Sequence, residues 1–238
     1  RSIKTTIDTV LSLDPDRLAL YHYAHLPHIF KPQRRIDTNV VPGSEEKLDM
    51  LQYCVQTLTE RGYVFIGMDH FAKPDDELST ALKEGFLQRN FQGYSTYADC
   101  DLVAIGVSSI GKIGSTYSQN ERDIDAYYAA LDAGHLPIMR GYQLNQDDIL
   151  RRNIIQDLMC RFSLDYQIYE SVFGIPFSRY FAAELEDMKQ LETLGLVRLK
   201  PHSLTVTPKG RFLIRNIAMV FDYHLRHKET KAKYSQTV

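Results

Sequence analysis

Short apolar runs alternate with amphipathic stretches through the first half of the chain. Residues 17–23 and 63–68 are rich in β-branched and aromatic residues, so each run predicts a strand. Between them, apolar residues at helical spacing predict a helix for which Ser44 is the expected N-cap. Residues 102–107 are too few for a helix and too apolar for an exposed strand, so we expect a strand buried on both faces. This alternation predicts an α/β fold with a parallel sheet.

The pattern becomes mainly helical in the second half of the chain. An apolar stripe runs along residues 124–131, and a connection containing proline and glycine follows it. Asn145 is the expected cap of the next helix, over residues 147–162. We place a domain boundary in the connection and therefore expect two domains, residues 1–143 and residues 144–238.

The last part of the chain has the order helix, hairpin, helix. Residues 185–194 predict a helix, and two short β-rich runs, residues 196–199 and 204–206, flank a turn that contains Pro201. A last helix is expected over residues 208–225, because a threonine and a proline stand where a helix can begin. This order resembles a winged helix.

Composition and charge argue against several classes of protein. The 238 residues carry a formal net charge of −2 and are 44% hydrophobic, which is typical of a globular protein and gives little attraction to nucleic acid or anionic lipid. Cys54, Cys100 and Cys160 lie far apart, which favours reduced thiols and offers no cluster or zinc site by local spacing. No apolar run reaches the ~18 residues of a membrane span, and no signal-peptide core is seen. We expect a cytoplasmic protein.

Residues 89–114 carry the strongest candidate chemistry. A polar and aromatic run leads past Asp99 and Asp101 into the expected strand at residues 102–107, and small residues follow that strand. Ligands of parallel α/β proteins bind at the carboxyl ends of strands, so we expect a site here. The alternative is a turn that needs glycine for its backbone angles and binds nothing.

Three separated segments, residues 23–27, 67–72 and 89–94, resemble the oxygen-independent coproporphyrinogen III oxidase (dehydrogenase) family of radical S-adenosylmethionine enzymes. The resemblance continues through residues 207–211 and 215–217. It implies the C-terminal portion of such an enzyme: the last βα units of an open radical-SAM-type barrel, followed by a helical winged-helix-like C-terminal domain. The family's cysteine motif for a 4Fe-4S cluster lies in the preceding half and does not occur in this sequence.

The resemblance also implies an activity in haem biosynthesis. Family members oxidatively decarboxylate two propionates of coproporphyrinogen III to vinyl groups and form protoporphyrinogen IX by means of a 5′-deoxyadenosyl radical. The implied cofactors are S-adenosylmethionine and the cluster, and the implied partner is the porphyrinogen, bound by a monomer without nucleic acid or membrane. We expect the portion in hand to be inactive by itself, because the cluster ligands are absent from it.

Four residues correspond by motif to functional positions of that family. Ala24 and Ile110 match contacts to a second S-adenosylmethionine, and Phe91 and Gln92 would flank that site. An amide both donates and accepts, so Gln92 could bind a carboxylate or a pyrrole and is the candidate catalytic residue. The alternative for Gln92 is a loop amide that satisfies its own backbone.

Two rival functions remain open from the residues. The haem-chaperone relatives of the family carry His-Asn-x-x-Tyr-Trp where residues 89–94 read Arg-Asn-Phe-Gln-Gly-Tyr, which favours the oxidase. A winged-helix DNA-binding protein would use basic residues such as Lys209, Arg211 and Arg215. The acidic helix at residues 185–194 argues against that function, because carboxylates repel phosphate.

Two further clusters of residue types suggest ligands. His22, His25 and His28 recur near Asp69 and His70, as in a metal-dependent hydrolase, but they cannot all lie at strand ends. A basic loop, which spans residues 31–35, could pair with propionates, or it could simply be solvated.

Overall fold

The computed structural model describes residues 2–97 and 100–227. Its helices are α1 Ser2–Ser12, α2 Ser44–Glu60, α3 Glu77–Glu84, α4 Ile124–Asp132, α5 Gln146–Arg161, α6 Tyr166–Phe173, α7 Phe177–Tyr180, α8 Ala182–Thr193, α9 Pro208–Arg211, α10 Ile214–Met219 and α11 Tyr223–Arg226. Two 3-10 helices, Lys31–Arg35 and Thr38–Val40, lie in the basic loop and just after it. No helix in the described ranges is long and apolar enough to cross a membrane.

The strands are short and form four small sheets. They are β1 Arg17–Ala19, β2 Val64–Gly67, β3 His70–Ala72, β4 Gln88–Asn90, β5 Gly93–Ser95, β6 Ile110–Ile113, β7 Thr116–Asn120, β8 Ile138–Gln143, β9 Ser163–Asp165, β10 Val197–Lys200 and β11 Ser203–Val206. The sheet orders are β1-β3-β2, β4-β5, β6-β7-β8 and β10-β11-β9. The fold is therefore a mixture of helices and strands, as expected.

The prediction of a parallel sheet is wrong for the described strands, because every ladder between them is antiparallel. The reason is visible at the end of β2. The chain does not pass into a helix there but turns back through Met68, at a φ of 53°, directly into β3. Two strands joined by so short a turn can pair only in the antiparallel sense. No barrel is closed by these strands.

The expected buried strand at residues 102–107 is also wrong. Leu102 makes a single isolated bridge to Lys112, and the residues after it form no strand. Val103 is 69% exposed and Ile105 is 84% exposed, so the run is not a core element. The apolar residues of this run predicted a buried strand, but no element in the described part of the chain covers Val103 or Ile105. Asp99, which was expected to precede it, lies outside the described residues.

A small core holds the first helices on the first sheet. Buried Ile7 of α1 and Leu58 of α2 pack with Phe71 of β3. The helix α2 begins where we expected it, but its N-cap is Gly43, with no side-chain cap from Ser44.

The larger core is built around α5. Buried Leu150, Ile154 and Leu158 of this helix pack with side chains from α8, α10 and the β10–β11 hairpin. The same core contains Ile66 and Tyr94 from the first half of the chain. Apolar burial across the two predicted domains therefore stabilises one continuous core.

The C-terminal elements agree with the sequence in part. Asn145 caps α5 through a capping box with Asp148, as predicted. The β10–β11 hairpin also forms as expected, and β9 adds a third strand that the sequence did not indicate. The single helix predicted over residues 208–225 is wrong, because α9, α10 and α11 replace it.

Candidate functional site

A two-residue hairpin turn carries Phe91 and Gln92 between β4 and β5. The turn closes because Asn90 Oδ1 accepts a hydrogen bond of 2.8 Å from the backbone N–H of Gln92 and because Gly93 adopts a φ of 138°, which favours glycine. The side-chain amide of Gln92 is exposed and makes no hydrogen bond that the structure records within the described ranges. This amide is therefore available to a ligand rather than used to satisfy its own backbone.

Phe91 reaches across from this hairpin to the β6-β7-β8 sheet. Its ring meets the Tyr117 ring of β7 edge to face, with 5.4 Å between centroids. Ile110, the first residue of β6, is half-buried and lies opposite Gln119 of β7. The structure thus brings the hairpin of Phe91 and Gln92 next to the sheet that contains Ile110.

Ala24 lies in a different pocket, of about 230 Å³, which includes residues 20–24 and 212–216. The Ala24 carbonyl accepts a hydrogen bond of 3.1 Å from Gln33 Nε2. The larger cleft that contains Phe91 does not include Ala24. Of the four residues predicted by motif, Phe91 lines this cleft, whereas Gln92 and Ile110 do not. Gln92 follows Phe91 at the tip of the hairpin, Ile110 begins β6 of the neighbouring sheet, and Ala24 lies in the other pocket.

The cleft beside Phe91 has a volume of about 600 Å³. Its walls come from β4, from α5 and from the segment around β6 and β7, and its lining includes Arg89, Phe91, Lys112, Tyr117 and Arg152. We call it the Arg89–Arg152 cleft. Arg89 and Phe91 stand in a recognisable motif. Arg152 and Tyr117 stand in none, so no signal in the sequence marks them.

Two hydrogen bonds join the β4–β5 hairpin to α5, and a contact between Arg89 and Tyr94 joins its two strands. Gln156 Nε2 donates to Gln88 Oε1 at 3.0 Å, and the buried Tyr94 hydroxyl donates to the Met159 carbonyl at 3.0 Å. The guanidinium of Arg89 lies over the Tyr94 ring, 5.0 Å from its centroid. Burial raises the pKa of Tyr94 well above its ordinary value, so this hydroxyl remains a donor.

The histidine cluster does not form a metal site. His70 Nδ1 contacts Asp69 Oδ1 at 2.5 Å, and His25 Nε2 lies 3.3 Å from the Gln33 carbonyl. Within residues 2–97 and 100–227, no group of three or more histidine, cysteine or acidic side chains is placed to hold a metal ion. The structure therefore gives no support to the metal-dependent hydrolase.

The three cysteines lie in separate environments. Cys54 is buried in the small core and Cys160 in the larger one, whereas Cys100 is exposed. Burial raises the pKa of Cys160 to about 12, which keeps this thiol protonated. These thiols do not fit the ligand set of an iron–sulfur cluster.

Part of the basic surface proposed for DNA is used inside the protein. The guanidinium of Arg211 is stacked on the Phe162 ring at 4.1 Å, and its Nη2 donates to the Phe65 carbonyl at 2.9 Å. Lys209 Nζ donates to the Leu194 carbonyl at 3.0 Å. Arg34, in the separate basic loop that could pair with propionates, likewise donates from its Nε to the Pro27 carbonyl at 2.9 Å. Several of these groups therefore stabilise the fold.

Comparison with known proteins gives three consistent findings. The HemN C-terminal domain matches residues 144–213. The oxygen-independent coproporphyrinogen III oxidase of Pseudomonas aeruginosa is 49% identical over 94% of this chain and 49% of its own length, and that of Thermostichus vulcanus is 45% identical over 96% and 70%. A solved structure of Escherichia coli coproporphyrinogen III oxidase (HemN), described as a radical SAM enzyme, superposes with a TM-score of 0.90 and 47% identity, over 94% of this chain and 52% of the other.

The chain spans about half the length of the Pseudomonas and Escherichia proteins that it matches. The Thermostichus relative is covered over more than two thirds of its length at 45% identity, and the three motif segments lie inside the aligned region. The chain belongs to the oxygen-independent coproporphyrinogen III oxidase family.

Proposed function

We propose that this chain acts as the C-terminal part of an enzyme that oxidatively decarboxylates two propionates of coproporphyrinogen III to vinyl groups. The observation that carries the proposal is its membership of the family at 44–49% identity with the curated relatives. The superposition on the Escherichia coli enzyme supports the same assignment, because it covers 94% of this chain at 47% identity. In that role the chain supplies binding groups and walls of the site.

We also propose that residues 1–143 complete an open barrel of the radical-SAM type and that residues 144–238 form a helical, winged-helix-like domain. The order α8, β10–β11 hairpin, α9 supports the second part, and so does the match of the HemN C-terminal domain, which begins at residue 144. The continuous core around α5 supports a domain that is packed firmly on the first half rather than one that binds DNA.

The implied cofactors fit this chain unequally. The three cysteines, which lie in separate environments, do not fit the ligand set of a 4Fe-4S cluster. S-adenosylmethionine, when bound and given one electron by the cluster in the rest of the enzyme, would supply the 5′-deoxyadenosyl radical that abstracts hydrogen. For a second molecule of it, we propose Ile110 and Phe91 as contacts; Ala24, which lies in the other pocket, is proposed on the motif alone. The exposed ring of Phe91 and the half-buried Ile110 support this assignment, because both present apolar surface that an adenosyl group can cover.

Gln92 is the proposed catalytic residue. Its amide is exposed at the tip of the β4–β5 hairpin, with no recorded internal partner in the described ranges. It can donate to a carboxylate and accept from a pyrrole N–H without a change of charge. It can therefore orient a propionate at the reacting position while remaining neutral.

A chimera tests this function. The matching half of the Pseudomonas aeruginosa oxidase is replaced by this chain, and formation of protoporphyrinogen IX is measured anaerobically with the cluster quantified. We expect turnover. Failure of a folded, cluster-loaded chimera to turn over would contradict the proposal.

The role of Gln92 is tested in the same chimera. Gln92→Ala should lower kcat/KM about 5- to 150-fold, which corresponds to ~1–3 kcal/mol for a lost hydrogen bond that leaves its partner unpaired. Gln190→Ala removes an exposed glutamine of α8 and serves as the matched control with unchanged turnover. Equal activity of the two variants would remove Gln92 from the mechanism.

A further inference from the structure

We propose that Arg89 and Arg152 form a carboxylate-binding subsite in the Arg89–Arg152 cleft, an inference that rests on the proposed function and extends it to recognition of the ligand. Arg89 stands on β4 and Arg152 on α5, and both line the same cleft of about 600 Å³. Arginine presents planar N–H groups that match the two oxygens of a carboxylate.

Both guanidinium groups contain a buried N–H group without a hydrogen-bond partner, although that of Arg89 lies over the Tyr94 ring. The Nη1 atoms of Arg89 and Arg152 are buried, yet neither has a hydrogen-bond partner. Within the described ranges, the structure records no hydrogen bond or ion pair from either guanidinium group. A guanidinium cannot lose its charge to relieve this situation, and an unsatisfied buried donor destabilises the folded protein. Two such groups in one cleft are accounted for by an anion that binds there.

Other buried arginines of the chain show the contrast. Arg151, which precedes Arg152 on α5, donates to Asp147, to Glu184 and to the Phe221 carbonyl. Arg211 leaves its Nε unpaired, but its guanidinium group is stacked on an aromatic ring and its Nη2 has a partner. Arg89 also lies over an aromatic ring, but it and Arg152 differ from both because no hydrogen bond of their guanidinium groups is recorded in the described ranges and because these groups line a cleft.

The charge of the cleft favours an anion. Its charged lining residues within the described ranges are Arg89, Arg152 and Lys112, against the single carboxylate of Asp101. That carboxylate already accepts a 2.7 Å hydrogen bond from the backbone N–H of Gly114. The cationic groups therefore outnumber the anionic one, and the potential in the cleft attracts a carboxylate.

The rest of the lining favours an organic carboxylate over an inorganic ion. Aromatic and apolar side chains surround the two arginines, namely Phe91, Tyr97, Leu102, Tyr117, Ile155 and Met159. A cleft that combines apolar walls with a few charged groups binds flat or apolar ligands whose polar ends are fixed by those groups. Two ligands of the proposed function have this chemistry: a porphyrinogen with its propionates, and S-adenosylmethionine with its methionine carboxylate.

Binding to the 238-residue chain tests the subsite and distinguishes the two sources of the carboxylate. One arm measures coproporphyrin III, the stable oxidised form of the porphyrinogen, against its tetramethyl ester. The other arm measures S-adenosylmethionine against its decarboxylated analogue. In each arm the second ligand lacks a free carboxylate and is called the neutral counterpart in that sense alone. We expect the wild-type chain to prefer the acid to this counterpart at least tenfold in one arm, and that arm identifies the ligand.

The variants are Arg89→Gln and Arg152→Gln, with Arg198→Gln as the matched control on an exposed part of β10. Each cleft variant should weaken binding of the acid about tenfold or more, leave binding of the neutral counterpart unchanged and so abolish the preference, while the control keeps it. The ratio of acid to neutral ligand is measured within each variant, so a general loss of stability does not mimic the result.

Three outcomes would overturn the subsite: wild-type chain that binds neither acid, wild-type chain that binds each acid no better than its neutral counterpart, or cleft variants with an unchanged preference. These experiments distinguish failure of the carboxylate subsite from failure of the proposed function. A chimera that turns over while the cleft variants bind normally would reject the subsite alone. An inactive chimera with a carboxylate preference that depends on both arginines would reject the reaction and keep the subsite.

Discussion

The buried ion pair between α5 and α8 offers the sharpest test of how the C-terminal half is held together. Arg151 Nη1 donates to Glu184 Oε1 at 2.9 Å and to the Phe221 carbonyl at 3.1 Å, and its Nε donates to Asp147 Oδ2 at 2.8 Å. The side chains of Arg151 and Glu184 are only 11% and 7% exposed. One guanidinium group therefore joins α5, α8 and the segment before α11.

The Arg151→Met variant removes this group while keeping most of the side-chain volume. Glu184 then becomes a buried carboxylate without its cation, and the Phe221 carbonyl loses a donor. Breaking a buried pair on one side costs about 3–5 kcal/mol in free energy of unfolding, because the remaining charge is uncompensated. For a chain of this size that loss corresponds to a decrease in Tm of roughly 6–20 °C.

Urea denaturation of the wild-type chain and of three variants measures the effect. Arg161→Met removes a more exposed pair with Asp157 on the same helix and should cost only about 0–1 kcal/mol. The double variant Arg151→Met with Glu184→Leu removes both charges and should recover most of the lost stability. A cost below about 1 kcal/mol for Arg151→Met, or a double variant as unstable as the single one, would show that an uncompensated Glu184 charge does not determine the stability.

The remaining predictions concern close packing and the thiols. Gly210→Ala should destabilise the protein by about 1–3 kcal/mol in urea denaturation, because the added Cβ would lie 2.0 Å from the Leu196 carbonyl oxygen; Gly43→Ala meets open space and should cost less. At pH 8 an alkylating reagent should modify exposed Cys100 quickly and Cys160 only after unfolding, since a thiol with its pKa raised to about 12 is ionised to only ~10⁻⁴; equal rates in the native chain would contradict this. The folded-state pKa of Cys160 lies above its unfolded value, so the protonated thiol contributes to the free energy of unfolding below about pH 9. This contribution should be lost as the pH rises toward about 12, which alkaline denaturation would measure.

Features that depend on neighbouring residues could be predicted from the sequence. The N-terminus of α5 forms as expected because Asn145 and Asp148 satisfy each other's backbone N–H groups within four residues. The β10–β11 hairpin forms because its two β-rich runs are separated by a short turn. Neither feature requires knowledge of what packs against it.

Features that depend on distant partners could not be predicted. The apolar run at residues 102–107 indicated a buried strand, yet burial depends on a covering surface that periodicity does not reveal. The strand β8 is exposed along its whole length and exists because β7 pairs with it, so no alternation of apolar and polar residues marks it. Likewise, Arg151 and Arg152 are adjacent in sequence, but the distant Glu184 and Phe221 accept hydrogen bonds from Arg151 alone, and the buried Nη1 of Arg152 has no such partner.

The cleft that Arg89 and Phe91 line likewise depends on α5, which is distant in sequence. The hairpin that carries the motif is bonded to α5 at Gln156 and Met159, so the position of Arg89 in the cleft is determined by a helix some sixty residues later in the chain. Because α5 also supplies Arg152, one helix both positions the first guanidinium group and contributes the second. Residues of α5, which lie within the match to the HemN C-terminal domain, therefore form part of the wall of the cleft.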